Sequence, residues 1–434
     1  MYNKKRILIV NPPLFVPKPH PSSLMTRDPY ILASNLKNRG KEVRVFDFVD
    51  DWPGLCDAYG IVSRGFRNAQ CGNFHNEGIM KQVWHLGRRE EQYHDILKQY
   101  HPDLVYISNE FFYNWHAIKF VVNETKKINR KVKIVLGGVY ATLCPEHAKE
   151  NTGVDEVIVV KPGDKSRLTP IDIKLYGTLP REFPIQSQIG CPNSCSWCQV
   201  PLIEGSKIQQ RDPIKILDDI EEKYKFGVRE FIFWDPNLTY NYENHFKVIL
   251  EGIIEREIKA TFSTDGGISP ECVIQEQLEL MAKAGFLQVA IPLEFCQQKY
   301  LNKNRISTVK NWIKAIKRIK RIKEFAVSTF IFCGFPGQTI EEIYETRNFV
   351  KDHGVGGCLC FFIPIPGTKF QDPFNRPLED LHPFLYPYAS NKMKVEDLEN
   401  MYSTSLRSME QYVPEYKRCK VITTGPSVPI KRRD

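Results

Sequence analysis

Residues 185–198 read Ile185-Gln186-Ser187-Gln188-Ile189-Gly190-Cys191-Pro192-Asn193-Ser194-Cys195-Ser196-Trp197-Cys198. An apolar-polar run predicts a strand from Ile185 to Ile189, and three thiols spaced C-x3-C-x2-C follow it at once. Structural zinc asks for four protein ligands, commonly two C-x2-C pairs, and no second pair occurs in the chain. Three close cysteines instead suit a [4Fe–4S] cluster in which the protein holds three irons and one iron stays open to chemistry. The position fits as well, because parallel βα barrels carry their sites on loops at the carboxyl ends of the strands.

Outward from this loop, short apolar runs alternate with helical periodicity, the pattern of α/β folds with parallel sheets. Downstream it predicts helices over 214–225, 242–256, 271–284, 308–323 and 341–352, and strands over 230–234, 260–263, 288–294, 325–333 and 357–364. With the strand at Ile185, these make six βα repeats, a partial (β/α)6 barrel over residues 184–370. Residues 166–183, with Pro170 and Pro180, read as a linker. Residues 1–165 read as one doubly wound Rossmann-like domain, with strands over 6–10, 43–48, 104–108, 132–136 and 156–160. Inside it, the stretch from Asp50 to Arg89, with Trp52, Cys71 and several glycines, has no clean period and reads as an irregular insertion over a site or interface. Residues 371–434 form a short, mostly helical extension, with a helix from Val395 to Gln411 and a basic tail.

The 434 residues are 42% hydrophobic and 26% charged, enough for two or three ordinary cores. Twelve cysteines are too few for a disulfide-built secreted module. The opening MYNKKRILIV has too short an apolar run for a signal peptide, and no apolar stretch nears the roughly 20 residues that span a bilayer. The expectation is a cytoplasmic protein without a membrane span, its thiols free, metal-bound or catalytic. The net charge of +9 is local: Lys303, Arg305, Lys310, Lys314, Lys317, Arg318, Lys320, Arg321 and Lys323 stand in one stretch without an acid, and the rest of the chain balances. Ile313, Ile316, Ile319 and Ile322 recur there every three residues, which predicts an amphipathic helix with its cations in water. Docking of an anionic partner is the other reading of that face; nucleic acid is not expected.

The cysteine loop, with Trp197 before its third thiol, resembles the radical S-adenosylmethionine (radical SAM) superfamily. That resemblance implies that Cys191, Cys195 and Cys198 hold a [4Fe–4S] cluster whose open iron chelates S-adenosylmethionine, and that one-electron reduction yields a 5′-deoxyadenosyl radical. Cys333-Gly-Phe-Pro-Gly-Gln-Thr-Ile-Glu-Glu after the fifth strand and Ile363-Pro-Ile-Pro-Gly-Thr after the sixth agree with it. The family's Gly-Gly-Glu-like turn after the second strand is replaced by Phe233-Trp234-Asp235-Pro236-Asn237, which keeps a carboxylate and lacks the glycines. The resemblance implies S-adenosylmethionine contacts from Trp197, Asp235, Ser263 and Glu294; Asp265 stands beside them in Ser263-Thr264-Asp265-Gly266-Gly267.

In the first domain, Ile9-Val10-Asn11-Pro12-Pro13 closes the first strand and Gly137-Gly138-Val139-Tyr140 the fourth. No G-x-G-x-x-G follows the first strand, which disfavours a dinucleotide. Ahead of such a barrel, this domain resembles the cobalamin-binding domain of one branch of the superfamily, in an uncharacterised subgroup. Asn11, Pro12, Gly137, Gly138 and Tyr140 are the implied cobalamin contacts, the paired glycines permitting close backbone approach. The loop after the first strand has no His, so the cofactor is expected without an imidazole below its cobalt. His75, in Asn73-Phe74-His75-Asn76-Glu77-Gly78, lies in the insertion and is read as coincidence. The other cysteines are small apolar residues by default, and among Cys333, Cys358 and Cys360 the reading admits a hydrogen-atom donor.

The resemblance therefore implies a cobalamin-dependent methyltransferase acting on an unactivated carbon of a small-molecule or natural-product-like substrate that the sequence does not name, with a flavodoxin- or ferredoxin-type reductant. The alternatives are a radical oxidation, rearrangement or C–C bond formation with a vestigial first domain, and a structural iron–sulfur or zinc protein.

Overall fold

Ile7, Leu8, Ile9 and Val10 form a strand buried on both faces, as a central strand of a parallel sheet must be when helices cover both sides. The computed structural model that contains it describes residues 5–16, 27–49, 66–69, 83–177, 179–180, 182–264, 266–304 and 307–378, with 381, 394 and 397. These fall into two units, one running to Leu179 and one beginning at Pro180. The first contains, in chain order, β1 (Arg6–Asn11), β2 (Leu14–Val16), α1 (Asp28–Asn38), β3 (Glu42–Asp47), β4 (Phe66–Ala69), β5 (Val83–Leu86), α2 (Glu90–Tyr100), β6 (Leu104–Asn109), α3 (Trp115–Ile128), β7 (Lys133–Gly138), α4 (Val139–Leu143), α5 (Pro145–Thr152) and β8 (Glu156–Val157). Its parallel sheet has the order β3-β1-β6-β7-β8. The direction of winding reverses between β1 and β6, and the crevice outside their carboxyl ends is where doubly wound sheets bind ligands.

Two expectations for this unit change. The stretch read as irregular holds β4 and β5, which pair antiparallel with β2 in a small second sheet; its short strands carry too few alternations to show a period. Trp52, Cys56, Cys71 and His75 lie outside the described residues. Much of the expected linker packs on α1: the Arg167 guanidinium bonds both oxygens of Asp28 at 3.1 and 2.9 Å, Asp172 accepts from Lys37, and Tyr176 stacks on Tyr30 at 3.9 Å. Burial alone would raise the Asp28 pKa, and Arg167 and Arg27 together hold it below the usual range.

The second unit runs β9 (Phe183–Ile185), β10 (Gln188–Ile189), α6 (Val200–Ile203), β11 (Gln209–Gln210), α7 (Pro213–Lys225), β12 (Glu230–Phe233), α8 (Lys247–Glu255), β13 (Thr261–Thr264), α9 (Gln275–Lys283), β14 (Phe286–Ala290), α10 (Gln298–Asn304), α11 (Val309–Ile319), β15 (Ala326–Cys333), α12 (Ile340–Asp352) and β16 (Gly356–Phe361). Six parallel strands in the order β16-β15-β14-β13-β12-β9 form the open barrel wall. Sequence signals start the helices: Asp212 caps α7 through the Ile214 amide, and Thr339 with Glu342 forms a capping box on α12. The predicted strand Ile185–Ile189 splits, because Gln188 and Ile189 leave the barrel to pair antiparallel with Gln209 and Gln210.

The wall has two chemically distinct faces. Phe231, Phe233, Phe262 and Phe286 meet one another, and Phe233 and Phe286 meet Phe246, which leads into α8; this is the helix-covered outer face. Register then puts Ile232, Ser263, Gln288, Ala290 and Ser328 on the inner face, the irregularity in the β13–β14 pairing between Phe262 and Ser263 moving β14 from Phe286 outside to Gln288 inside. On α11, Trp312, Ala315, Ile316 and Ile319 are buried, while Lys310, Lys314, Lys317 and Arg318, and beyond its end Lys320, Arg321 and Lys323, are exposed. The helix stops at Ile319, so the last isoleucine of the expected period, Ile322, lies beyond it; the predicted helix in the C-terminal extension lies outside the described residues.

Candidate functional site

The cysteine loop leaves the first barrel strand through Gly190, whose φ of +86° and whose closeness to the Lys207 carbonyl, 2.3 Å from any added Cβ, leave room for no side chain. The Gly190 amide donates to Glu204 Oε2 at 3.3 Å and the Cys191 amide to the Gly205 carbonyl at 3.1 Å. Further along, the Cys198 amide donates to the Cys195 carbonyl, and the Phe370 amide to the Ser196 carbonyl. Cys191 is buried, Cys195 and Cys198 are half-buried, and all three are reduced thiols. Among the described residues no three His, Cys, Asp or Glu converge on one point as ligands to a single ion. A cubane asks for a different arrangement, one thiolate for each of three irons, and three thiols on one rim loop are a donor set of that kind.

Trp197 was expected to meet S-adenosylmethionine; its ring packs against the wall. Its ring stands edge-on to Phe332 at 5.2 Å, Phe295 at 6.0 Å and Phe335 at 6.1 Å, so the indole is a wedge that pins the second half of the cysteine loop to the ends of β14 and β15. Phe295 follows Glu294, which the same contact brings toward the loop. Glu294 is 5% exposed, and its amide and carbonyl bond Phe330 and Phe332 at 2.9 and 3.0 Å. Its φ of +63° is left-handed, a conformation costing a non-glycine residue about 1–2 kcal/mol and held only where the surroundings impose it.

The other half of the rim is polar. Asp235, 1% exposed, accepts at Oδ1 from the Ser187 amide, the Ser187 hydroxyl at 2.8 Å and the Gln188 amide; its Oδ2 is buried with no hydrogen-bond partner among the described residues. Burial pushes this carboxyl up to about 7, against the hydrogen bonds from Ser187 and Gln188, and the Glu204 charge adds to the rise. Gly266 is close-packed on the Asp235 carbonyl, 2.2 Å from any added Cβ. Two residues before Cys195, Asn193 reaches Ser269 at 3.3 Å, so the cysteine loop is tied to the loop after β13 as well. Ser263, on the inner face, is buried; Asp265 lies outside the described residues. Sequence reasoning missed Ser187, Glu204 and the Phe295-Phe332-Phe335 seat of Trp197, since no local pattern marks residues that meet only when the barrel closes.

In the first unit, the implied cobalamin residues stand at the carboxyl edge of the sheet and are engaged within the chain. Asn11 donates to Asp47 at 2.6 Å, and the Tyr140 hydroxyl, fully buried, meets His147 Nδ1 at 2.6 Å. A Cβ on Gly137 would lie 2.0 Å from the Tyr106 hydroxyl, and one on Gly138, whose φ is +94°, would lie 2.4 Å from the Asn109 carbonyl. Strand β6 therefore suffices to demand both glycines. Glu110 Oε1 accepts from the amides of Arg27 and Asp28, putting a carboxylate of the chain where a dinucleotide phosphate would sit on the α1 N-terminus.

Residues 185–350 match the Radical SAM superfamily. Among curated proteins, a tRNA-2-methylthio-N(6)-dimethylallyladenosine synthase of Endomicrobium trichonymphae is 26% identical over 316 residues, covering 67% of this chain and 74% of that protein. A ribosomal protein uS12 methylthiotransferase RimO of Caldanaerobacter subterraneus subsp. tengcongensis is 25% identical over 173 residues, 38% of this chain and 39% of that one. Among solved structures, the radical S-adenosylmethionine methyltransferase TsrM of Kitasatospora setae, with tryptophan and a SAM analogue bound, aligns at TM-score 0.59 and 15% identity over 84% of this chain and 75% of its own. The cobalamin-dependent S-adenosylmethionine radical enzyme OxsB aligns at TM-score 0.53 and 14% identity over 93% and 56%. Both structural likenesses speak for the fold, a Rossmann-like unit followed by a partial barrel. No helix among the described residues is long and apolar enough to cross a membrane.

Proposed function

We infer that this chain, a radical SAM enzyme by its barrel unit, is a cobalamin-dependent methyltransferase acting on an unactivated carbon of a small-molecule or natural-product-like substrate. The observation that carries the reading is the cysteine loop itself: three reduced thiols on the carboxyl rim, wedged by Trp197 on one side and tied by Asn193 on the other. Cys191, Cys195 and Cys198 would hold three irons of a [4Fe–4S] cluster. When bound, that cluster supplies the electron that splits the C–S bond of S-adenosylmethionine, and cobalamin supplies the methyl carrier.

The protein's own groups bind and orient. The open Oδ2 of Asp235 suits an ammonium group, whose charge would return the carboxyl to its ionised form. Glu294 is fixed by its two backbone bonds on the Trp197 side of the rim, and Ser263 offers a hydroxyl on the inner face. Cobalamin would lie over the carboxyl edge of the first sheet, meeting backbone and apolar surface there, since Asn11 and Tyr140 are engaged with Asp47 and His147. The reductant would be a flavodoxin- or ferredoxin-type protein, and the setting cytoplasmic.

Anaerobic reconstitution with iron, sulfide and cobalamin tests this. The reading expects about four irons per chain, S-adenosylmethionine cleavage on reduction, and one cobalamin with no imidazole on its cobalt. A protein that holds iron and never cleaves S-adenosylmethionine would end it. The relatives' names favour a second reading, methylthio transfer; the exact mass of the product separates the two, because a methylthio product carries an added sulfur atom that a methyl product lacks.

A further inference from the structure

Three cysteines close the last two barrel strands, and strand register sorts them. Thr329, Ile331 and Cys333 alternate on one face of β15, where Ile331 lies against the position a Gly357 side chain would take, beside Val350 of α12. Cys333 is thus on the helix-covered face; it is fully buried, and burial pushes its thiol up to about 12. Cys358 and Cys360 pair with Phe330 and Phe332, so they share the opposite face, on which Phe332 meets Trp197 of the cysteine loop. Both are half-buried, neither is in a disulfide, and the Cys360 thiol lies 3.9 Å from the Cys358 carbonyl.

We propose that Cys358 and Cys360 form a thiol pair on the barrel's inner face that gives a hydrogen atom to a carbon radical held there. The juxtaposition is two S–H groups, two residues apart on one strand, on the face that also carries the Trp197 wedge between two cluster ligands. The step balances simply: the S–H bond breaks homolytically, a C–H bond forms, and a thiyl radical remains. One electron from the same class of low-potential protein donor that reduces the cluster, with one proton from solvent, restores the thiol. The pair gives a carbon radical a second fate beside methyl capture, return to C–H. This rests on the radical SAM reading of the barrel and is separable from the methyltransferase reading.

The test needs no substrate. The cluster-loaded protein is reduced with dithionite in D2O with S-adenosylmethionine alone, and the 5′-deoxyadenosine is analysed by mass. Solvent-exchanged thiols in reach of the radical put one deuterium into it. The expectation is that wild type gives mostly monodeuterated product, that Cys358→Ala and Cys360→Ala each lower the deuterated fraction, and that the double variant loses more than half of it at unchanged iron content. Cys333→Ala should leave it as in wild type. Double Cys→Ser replacement, which keeps the polar group without the weak S–H bond, guards against a packing effect and should match double Ala. Alkylation mapped by mass should also find Cys358 and Cys360 less reactive once S-adenosylmethionine is bound. Deuterium incorporation independent of both cysteines, or undeuterated product from wild type, overturns the proposal; absence of any 5′-deoxyadenosine instead overturns the reading beneath it.

Discussion

Asp235→Asn isolates the cost of one buried carboxylate. The side chain keeps its Oδ1 acceptor toward Ser187 and Gln188 and exchanges the partnerless Oδ2 for an amide nitrogen. With a folded pKa of about 7 against an ordinary 3.8, the native state binds the proton more tightly than the unfolded chain. The stability this proton provides is complete below pH 3.8 and is lost as pH rises through 7. Integrated between pH 5 and pH 8, one such group removes about 2.5 kcal/mol. Urea unfolding of the cluster-free protein across that range should show wild type losing roughly that much relative to Asp235→Asn, the variant being the more stable at pH 8. A ligand ammonium at Oδ2 would expel the proton, so S-adenosylmethionine binding near pH 6.5 should release protons in wild type and far fewer in the variant, measured by calorimetry in buffers of different ionisation enthalpy. Parallel pH profiles for the two proteins would refute the assignment of a protonated, buried Asp235.

Trp197→Ala should cost about 3–5 kcal/mol of local packing and lower retained iron, whereas Trp197→Phe keeps most of it; equal iron in both would deny the wedge. Glu294→Gly relieves the left-handed backbone and should be more stable than Glu294→Ala by about 1 kcal/mol in thermal unfolding, while both weaken S-adenosylmethionine binding by about 1.5–3 kcal/mol through the lost charged group; identical stabilities would contradict the strain. Gly138→Ala should destabilise the first unit without any cofactor present, because the Asn109 carbonyl already occupies that space; a wild-type melting curve would return the glycine to a ligand. Neutralising Lys314, Lys317 and Arg321 should leave dithionite-driven cleavage intact, and slower, less salt-dependent turnover with an acidic flavodoxin-like donor would assign that face to docking.

The parts of this protein legible in the sequence are those set by short-range rules. The alternation of β12 to β16 with their helices, the N-caps Asp212 and Thr339, and the C-x3-C-x2-C spacing each lie within one element or one loop. What was not legible depends on which strand neighbours which. Gly137 and Gly138 read as room for a ligand, yet Tyr106 and Asn109, about thirty residues earlier, require them once β6 pairs with β7. Asp235 read as an open carboxylate, and half of it is bound by Ser187 and Gln188 from the neighbouring strand's end. Trp197 was read as a cofactor contact from the resemblance of the cysteine motif; its seat among Phe295, Phe332 and Phe335, roughly a hundred or more residues on, had no local signal.

The two faces of the barrel wall also differ in the size of their side chains. A closed βα barrel fills its interior with branched apolar side chains in layers. Here the bulky residues Phe231, Phe233, Phe262 and Phe286 sit on the outer face and stack on one another, so wall cohesion comes from outside. The inner positions include the small or polar Ser263, Gln288, Ala290, Ser328, Cys358 and Cys360 beside the bulkier Ile232, Phe330 and Phe332. Aromatic side chains stand on that inner face along β15, at Phe330 and at Phe332, and Phe332 meets Trp197. An apolar seat of Phe295, Phe332 and Phe335 therefore holds the cysteine loop against one side of the wall, while β13 and β14 present the small or polar Ser263, Gln288 and Ala290 beside it.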